Sequence, residues 1–266
     1  MKIGHFLAAL ALSFGLLVPQ FAWAVDYVAG PGSAAAPGQI IGTPTNDNAT
    51  AGNVGEYQSN TCPAQTATVT FTGTTTNLVT WAANTFVALC PVYFTTSGSL
   101  PSGISASTTY YVTNNANLTT ASFQISTTIA LAQAGTAIAL TTNGTATTTG
   151  TGSSVLGTGT SLAQNALYLT AGDWDVQCTL VFTANSSTTA TVEQVGVSTS
   201  STVIGQIGTF TVIDATMAAT DASSALVSPI VRESLSTTTP IYCLGASVFA
   251  TSVMTANPML RARRVR

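Results

Sequence analysis

Basic side chains are almost absent from this chain outside its two ends. Between Ala24 and Arg232 there is no lysine, arginine or histidine, and the single histidine and single lysine are His5 and Lys2. A stretch without imidazole or ammonium groups cannot supply a Ser-His-Asp triad, a Cys-His pair, a histidine metal ligand or a Schiff-base lysine. The sequence therefore predicts a protein that is not an enzyme and that holds no metal or cofactor.

Charge of either sign is also scarce, and this bounds the fold and the partners. Charged residues make up 6% of the chain, with a net charge of −3, whereas 45% of the residues are hydrophobic. Disordered chains show the opposite balance. The abundant threonine and valine favour strands, because branching at Cβ restricts χ1. We predict an all-β protein, and since its body offers no cations to phosphate groups, we expect no nucleic-acid partner.

The N-terminal residues have the composition of a secretory signal. Lys2 precedes an apolar run, Phe6–Val18, and Ala22–Ala24 forms a small-x-small cleavage site. The run is shorter than the roughly 20 residues that a transmembrane helix needs. We predict that residues 1–24 are a signal peptide, that the protein is exported, and that no membrane span remains after signal removal. A retained anchor helix is the alternative.

Changes in composition divide the remaining chain. Residues 25–41 are rich in Gly, Pro and Ala and predict a linker. Residues 66–150 contain short apolar alternations separated by Gly, Asn and Pro, and residues 151–266 contain longer ones. Strands separated by turns, without intervening helices, predict a small β module followed by an antiparallel β-sandwich or jelly roll.

The alternation of apolar residues predicts individual strands in both regions. A weak helical period occurs only around Ile129–Ala137. The predicted strands are Thr66–Phe71, Asn77–Trp81, Val92–Thr95, Thr109–Thr113, Ser122–Ser126, Ala137–Thr141, Ala166–Leu169, Trp174–Phe182, Thr189–Ser198, Thr209–Ile213, Pro229–Ser234, Ile241–Phe249 and Met259–Val265.

The chain has four cysteines, Cys62, Cys90, Cys178 and Cys243. An even number in an exported chain favours disulfides, although four cysteines allow three pairings. Two of them, Cys178 and Cys243, lie in strands with alternating apolar residues, so two inward-facing cysteines on neighbouring strands can form a bridge. We predict Cys178–Cys243 and, by default, Cys62–Cys90; four buried thiols are the alternative.

Positions 90–112 read CPVYFTTSGSLPSGISASTTYYV, and positions 121–126 read ASFQIS. Through these stretches, residues 66–150 resemble a small β module of tailed-phage tail and tail-fibre chains. The Leu-Pro-x-Gly turn and the Thr-Tyr-Tyr-Val strand occur in register.

A second resemblance is divided between two parts of the chain. The stretches NVGEY at 53–57, LTAGDWDV at 169–176, GVSTS at 196–200 and RARRVR at 261–266 are similar to a C-terminal domain of proteobacterial prophage proteins. The resemblance implies that residues 42–65 contain the opening strand of this domain and that the first module is inserted after it. It further implies a virion or appendage role and a homotrimer, with no catalytic residues.

Two groups of residues are candidates for contact with a partner. Tyr110 and Tyr111 point to opposite faces of a strand, which predicts one ring in the core; the other is a candidate for stacking on a sugar, with an ordinary surface position as the favoured alternative. Arg261, Arg263, Arg264 and Arg266 form the only concentrated charge. In a strand, Arg261 and Arg263 share one face while Arg264 and Arg266 share the other, so we expect a solvated end that pairs with acids or with a neighbouring subunit.

One pair of carboxylates is a candidate for catalysis. Asp173 and Asp175 flank Trp174, and residues i and i+2 of a strand lie roughly 7 Å apart on one face, within range of a glycosidase pair. The more economical interpretation is a turn at Gly172–Asp173 with both carboxylates exposed.

Together these features predict a non-enzymatic, exported structural or adhesive protein that presents β-loops to a glycan or cell-surface partner. A virion component, of the tail or head fibre, is the first alternative, and a glycan hydrolase using Asp173 and Asp175 is the second. Since virion proteins assemble in the cytoplasm, the signal-like start favours an exported relative of phage modules.

Overall fold

The computed structural model describes residues 48–73, 76–185, 187–217, 223–250 and 253–266. The predicted signal peptide and linker, and the first six residues of the predicted opening segment, lie outside these ranges. The described residues form antiparallel sheets with one short helix, and the predicted all-β class is confirmed.

In chain order the elements are β1 (Tyr57–Thr61), β2 (Thr66–Thr72), β3 (Leu78–Thr80), β4 (Pro91–Thr96), β5 (Tyr110–Val112), β6 (Ser122–Phe123), β7 (Ile125–Ser126), α1 (Ile129–Gln133), β8 (Thr148–Thr151), β9 (Ser154–Leu156), β10 (Leu162–Leu169), β11 (Gly172–Ala184), β12 (Thr189–Ser198), β13 (Phe210–Met217), β14 (Ser223–Val227), β15 (Val231–Leu235), β16 (Thr239–Ala250) and β17 (Met254–Arg264).

These strands form three sheets. A six-stranded sheet has the order β1-β17-β11-β14, with β15 also paired to β11 and β9 also paired to β17. A four-stranded sheet has the order β10-β16-β12-β13. The third sheet, with seven strands, has the order β6-β3-β2-β8-β4-β5-β7 and is built from residues 66–151 alone.

The six-stranded and four-stranded sheets pack face to face around one core. On β11 every second side chain from Trp174 to Phe182 is buried, which agrees with the alternation in the sequence. On the facing sheet, Val195 of β12 and Ile241 of β16 are fully buried in the same core. The predicted antiparallel sandwich is therefore confirmed.

The seven-stranded sheet encloses a separate aromatic core. Trp81, Phe86 and Phe123 contact one another, with Trp81 and Phe86 edge to face at 5.0 Å between ring centroids. Such pairs stabilise a core beyond the area that they bury. Tyr110 also belongs to this core.

A third cluster of buried side chains joins the seven-stranded sheet to the four-stranded sheet. Ile129 and Ala132 of α1 pack in this cluster with Tyr242 and Leu244 of β16. The hydroxyl of Tyr111 crosses the junction and donates a hydrogen bond to the carbonyl of Ala163, at 2.6 Å. The two cores are thus held in fixed contact by apolar packing and a buried hydrogen bond.

Both predicted disulfides are present. Cys178–Cys243 connects β11 to β16, and so it joins the two sheets of the sandwich through the core. Cys62–Cys90 connects the residue after β1 to the residue before β4. The first disulfide therefore links the six-stranded sheet to the four-stranded sheet, and the second links the six-stranded sheet to the seven-stranded sheet.

The Ile129–Ala137 region and the segment after it differ in part from the predictions. The weak helical period corresponds to α1, which begins after Thr128, whose side chain accepts a hydrogen bond from the Leu131 N–H. The predicted strand Ala137–Thr141 is wrong, because this segment is irregular. Its Ile138 N–H bonds to the Ile125 carbonyl, but its Leu140 N–H bonds to the side chain of Asn77, so the two donors form no ladder with one strand.

Candidate functional site

All five arginines of the chain lie at one end of the six-stranded sheet. Arg232 is on β15, and the others are on β17 or directly after it. Strands β15 and β17 lie on either side of β11. The register therefore collects every arginine of the protein around the first residues of β11.

The outer surface of this sheet carries two rows of polar side chains. In the first row, Tyr57, Arg263, Asp175 and Arg232 stand opposite one another on β1, β17, β11 and β15. In the second row, Arg261 of β17 stands opposite Gln177 of β11. Paired residues on neighbouring strands have Cβ atoms about 5 Å apart, so side chains within a row are in contact range.

Apart from Arg232, the side chains of these two rows line a groove of about 280 Å³, which we call the arginine groove. It is bounded by Tyr57, Asp175, Gln177, Ile230, Arg261, Ala262 and Arg263. Tyr57 is 45% exposed and Ile230 is 64% exposed. The groove therefore combines guanidinium groups, a carboxylate and two accessible apolar surfaces.

The arginines in and beside the arginine groove differ in whether they are bonded to other protein groups. Arg232 forms an ion pair with Asp175, at 2.5 Å. Arg261 donates two hydrogen bonds to the side-chain oxygen of Gln177, whose amide in turn donates to the Ser228 carbonyl. Arg263 is exposed and forms no hydrogen bond or ion pair within the described residues. It is the free cation of the groove.

Arg264 is buried, although it was predicted to be part of a solvated end. Its guanidinium forms an ion pair with Glu56 at 3.0 Å, and both side chains are about 95% buried. It also donates to the Ala171 carbonyl and lies 4.3 Å from the ring centroid of Trp174. The prediction that Arg264 contacts a partner is wrong, because Arg264 follows Ala262 on the inward face of β17 and is fully bonded there.

The partner of Arg264 has a perturbed acidity. Burial alone would raise the pKa of Glu56, but hydrogen bonds from the Gly52 N–H, Gln58 and Arg264 outweigh it and lower the pKa. Glu56 therefore remains ionised inside the protein. The pair connects residues 208 positions apart and anchors the start of β1 to the end of β17.

Gly172 provides the space that Arg264 occupies. A Cβ atom at residue 172 would lie 1.8 Å from Nη1 of Arg264, and the φ angle of Gly172 is +138°. An L-side chain disfavours that backbone conformation. Gly172, in the stretch LTAGDWDV, is therefore required by the buried guanidinium.

Asp173 and Asp175 both lie on the outer face of β11, and both are ion-paired. Asp173 pairs with Arg266 at 2.7 Å, while Asp175 pairs with Arg232. A hydrogen bond from Ser234, assisted by Arg266, lowers the pKa of Asp173. A glycosidase pair needs one carboxyl whose pKa is raised, so that it stays protonated and acts as the acid. The ion pairs work against this role.

The predicted contact role of Tyr110 and Tyr111 is wrong, because both rings are buried. Tyr110 is 3% exposed and Tyr111 is 4% exposed. Tyr110 faces the aromatic core, where its hydroxyl accepts a hydrogen bond from the Ser105 N–H. Tyr111 faces the junction with the sandwich, and this burial raises its pKa. The second face of the strand is covered by the sandwich instead of by solvent.

Glu193 is a buried carboxyl inside the sandwich. It lies on the inward face of β12 and lines a cavity of about 20 Å³, which has room for one water molecule. Ser224 donates a hydrogen bond to it, and no ion pair is formed within the described residues. Burial raises the pKa of Glu193.

We expect Glu193→Gln to stabilise the protein at neutral pH and not at acidic pH. Because the folded pKa lies above the unfolded value, the wild type is fully stable below the unfolded pKa and loses stability as the pH rises through the folded pKa. Urea midpoints of the two proteins should agree near pH 4 and diverge towards pH 8, with the variant higher. A difference that does not change with pH would contradict this.

The sequence did not single out several residues of the arginine groove. Gln177 faces outward because its neighbours Val176 and Cys178 face inward, and this alternation was visible in the sequence. Tyr57 and Ile230 carried no such signal. Tyr57 is placed beside Arg263 by a pairing between distant segments, and its backbone N–H and C=O are both bonded to the side chain of Asn48.

Two absences hold for the described ranges. No helix there has the length and hydrophobicity needed to cross a bilayer. No three histidine, cysteine, aspartate or glutamate side chains are grouped there in a way that would hold a metal ion.

Comparison with known proteins gives only distant similarity. No protein-family model matches the sequence, and no curated protein matches it. Among solved structures, a chain in the structure of infectious bursal disease virus, Gx strain, is 11% identical, with a TM-score of 0.27. The match covers 77% of this chain and 58% of that chain. The resemblance to phage modules therefore stays a prediction.

Proposed function

We propose that this chain is a non-enzymatic structural and adhesive protein, exported from the cytoplasm, that presents the arginine groove to a glycan or cell-surface partner. The observation that carries the proposal is the free guanidinium of Arg263 beside the exposed ring of Tyr57. The other described arginines are bonded to protein groups. An exposed cation without a protein partner, in a groove with an aromatic wall, is suited to binding.

Three further features support this function. Disulfides persist in oxidising compartments, and both disulfides of this chain are formed. Asp173 and Asp175 are both ion-paired, which works against their use as a glycosidase pair. The resemblance to phage appendage modules implies a displayed, homotrimeric assembly, in which three arginine grooves would act together and increase the avidity of weak binding.

Expression of the full chain with its own N-terminus tests the location and the assembly. We expect protein outside the cytoplasm that begins at Val25, has no free thiol, and has the mass of three chains by light scattering. Recovery of the chain in purified particles with an intact Met1 would favour the virion alternative instead. Reduced, cytoplasmic protein outside particles would contradict both.

A further inference from the structure

We propose that the arginine groove binds a sugar unit that carries a single carboxylate, such as a uronic acid residue. This inference rests on the proposed function and names the class of ligand for it. It follows from the charge, the shape and the hydrogen-bonding groups of the groove.

The first argument is charge. Arg263 is the only groove arginine that is not bonded to a protein group within the described residues, and Asp175 stands directly opposite it on β11. A guanidinium presents a planar pair of donors that fits a carboxylate with two parallel hydrogen bonds. Asp175 repels any anion, but the guanidinium groups of Arg261 and Arg263 outnumber it, so that these three lining residues carry a net charge of +1 (two positive, one negative). The groove is therefore matched to one negative charge.

The second argument is the presence of neutral binding surfaces around that cation. The ring of Tyr57 is nearly half exposed, and Ile230 is exposed at the other side of the groove. Aromatic rings bind apolar surfaces well and carry a polar end. The C–H face of a pyranose is such a surface. An inorganic anion would leave Tyr57 and Ile230 without contact.

The third argument is hydrogen bonding to hydroxyl groups. Asp175 uses Oδ1 to bind Arg232, so its second carboxylate oxygen is free to accept from a sugar hydroxyl. Arg261 directs Nε and Nη2 to Gln177, so Nη1 is free to donate. Its position is fixed because Gln177 is itself bonded to the Ser228 carbonyl. The acceptor on Asp175 of β11 and the donor on Arg261 of β17 therefore lie near Arg263. A sugar ring held by its carboxylate can use both groups for its hydroxyls.

The size of the groove limits the ligand. Its volume of about 280 Å³ is close to the lower end, roughly 300 Å³, of pockets that hold small molecules. One monosaccharide unit therefore fills it, and a longer glycan would pass through it with one residue bound. Affinity for a single unit should be weak, and multiple chains of an assembly would strengthen it.

Calorimetric titration of the full oxidised chain tests this inference. The probes are methyl glucuronide, its neutral counterpart methyl glucoside, and inorganic phosphate. We expect binding of the glucuronide, at least tenfold weaker binding of the glucoside and of phosphate, and loss of at least tenfold in Arg263→Gln. Tyr57→Ala should also weaken binding of the glucuronide. Arg266→Gln, which lies outside the groove, should leave that binding unchanged.

The outcomes separate this inference from the function on which it rests. The inference would be overturned if the glucoside or phosphate bound as tightly as the glucuronide. It would also be overturned if Arg263→Gln bound the glucuronide as tightly as the wild type does. If wild type and Arg263→Gln then adhere equally to glycan-coated surfaces, the adhesive role stands, but the arginine groove is excluded as its site. If the wild type adheres to no acidic or neutral glycan and to no cell surface, the proposed function itself fails. The urea midpoint of Arg263→Gln, expected to equal that of the wild type, excludes misfolding.

Discussion

Arg264→Met should lower the free energy of unfolding by about 3–5 kcal/mol, because it leaves a buried carboxylate without its partner. Glu56 would keep its hydrogen bonds from Gly52 and Gln58 but lose the cation that neutralises it. The carbonyl of Ala171 would also lose a donor. Equilibrium unfolding in urea at neutral pH measures the loss as a lower midpoint.

The neighbouring residue provides a matched control. Arg263→Met makes the same chemical change one position earlier on β17, where the guanidinium is exposed and unbonded in the described structure. Surface substitutions of this kind change stability by within about 0.5 kcal/mol. In the double variant Glu56→Gln/Arg264→Met the unpaired charge is removed, so part of the loss should be recovered. Equal losses in Arg263→Met and Arg264→Met would show that the buried pair is not as described.

Removal of the Cys178–Cys243 disulfide should have an effect of similar size. The two cysteines are 65 residues apart, and the entropy of closing a loop of that length in the unfolded chain corresponds to about 4 kcal/mol. The double variant Cys178→Ala/Cys243→Ala should lose about this amount. The urea midpoint of the variant, and that of the wild type with and without reductant, measures it.

The second disulfide is the internal comparison. Cys62 and Cys90 are 28 residues apart, for which the same relation gives about 3.5 kcal/mol. Cys62→Ala/Cys90→Ala should therefore be slightly less destabilising. A wild type whose midpoint does not respond to reductant, or whose four thiols all react with an alkylating agent before reduction, would contradict the disulfide assignment.

Local patterning allowed much of the sandwich to be predicted. The strand containing Trp174–Phe182 was visible because apolar residues occupy every second position, and β11 buries those residues. The same reasoning placed Cys178 and Cys243 in the core, which explains why their pairing was predicted correctly. Such features depend only on residues that are close in sequence.

The errors concern contacts between distant segments. Tyr111 was assigned a free face because nothing near it in sequence shows that the four-stranded sheet covers that face. Arg264 was predicted to be solvated because its partner, Glu56, lies near the other end of the described chain. The arginine groove depends in the same way on the register of β1 against β17. Alternation predicts which side chains share a face and does not predict what packs against it.

The central claim is that the protein binds a glycan and does not hydrolyse it. One assay measures binding and hydrolysis together, with purified wild type on a surface coated with an acidic polysaccharide. Retention of the protein and reducing ends released into solution are recorded for the same sample. We expect retention that is lost in Arg263→Gln and no release of reducing ends. Release of sugar by the wild type that disappears in Asp173→Asn or Asp175→Asn would contradict the account.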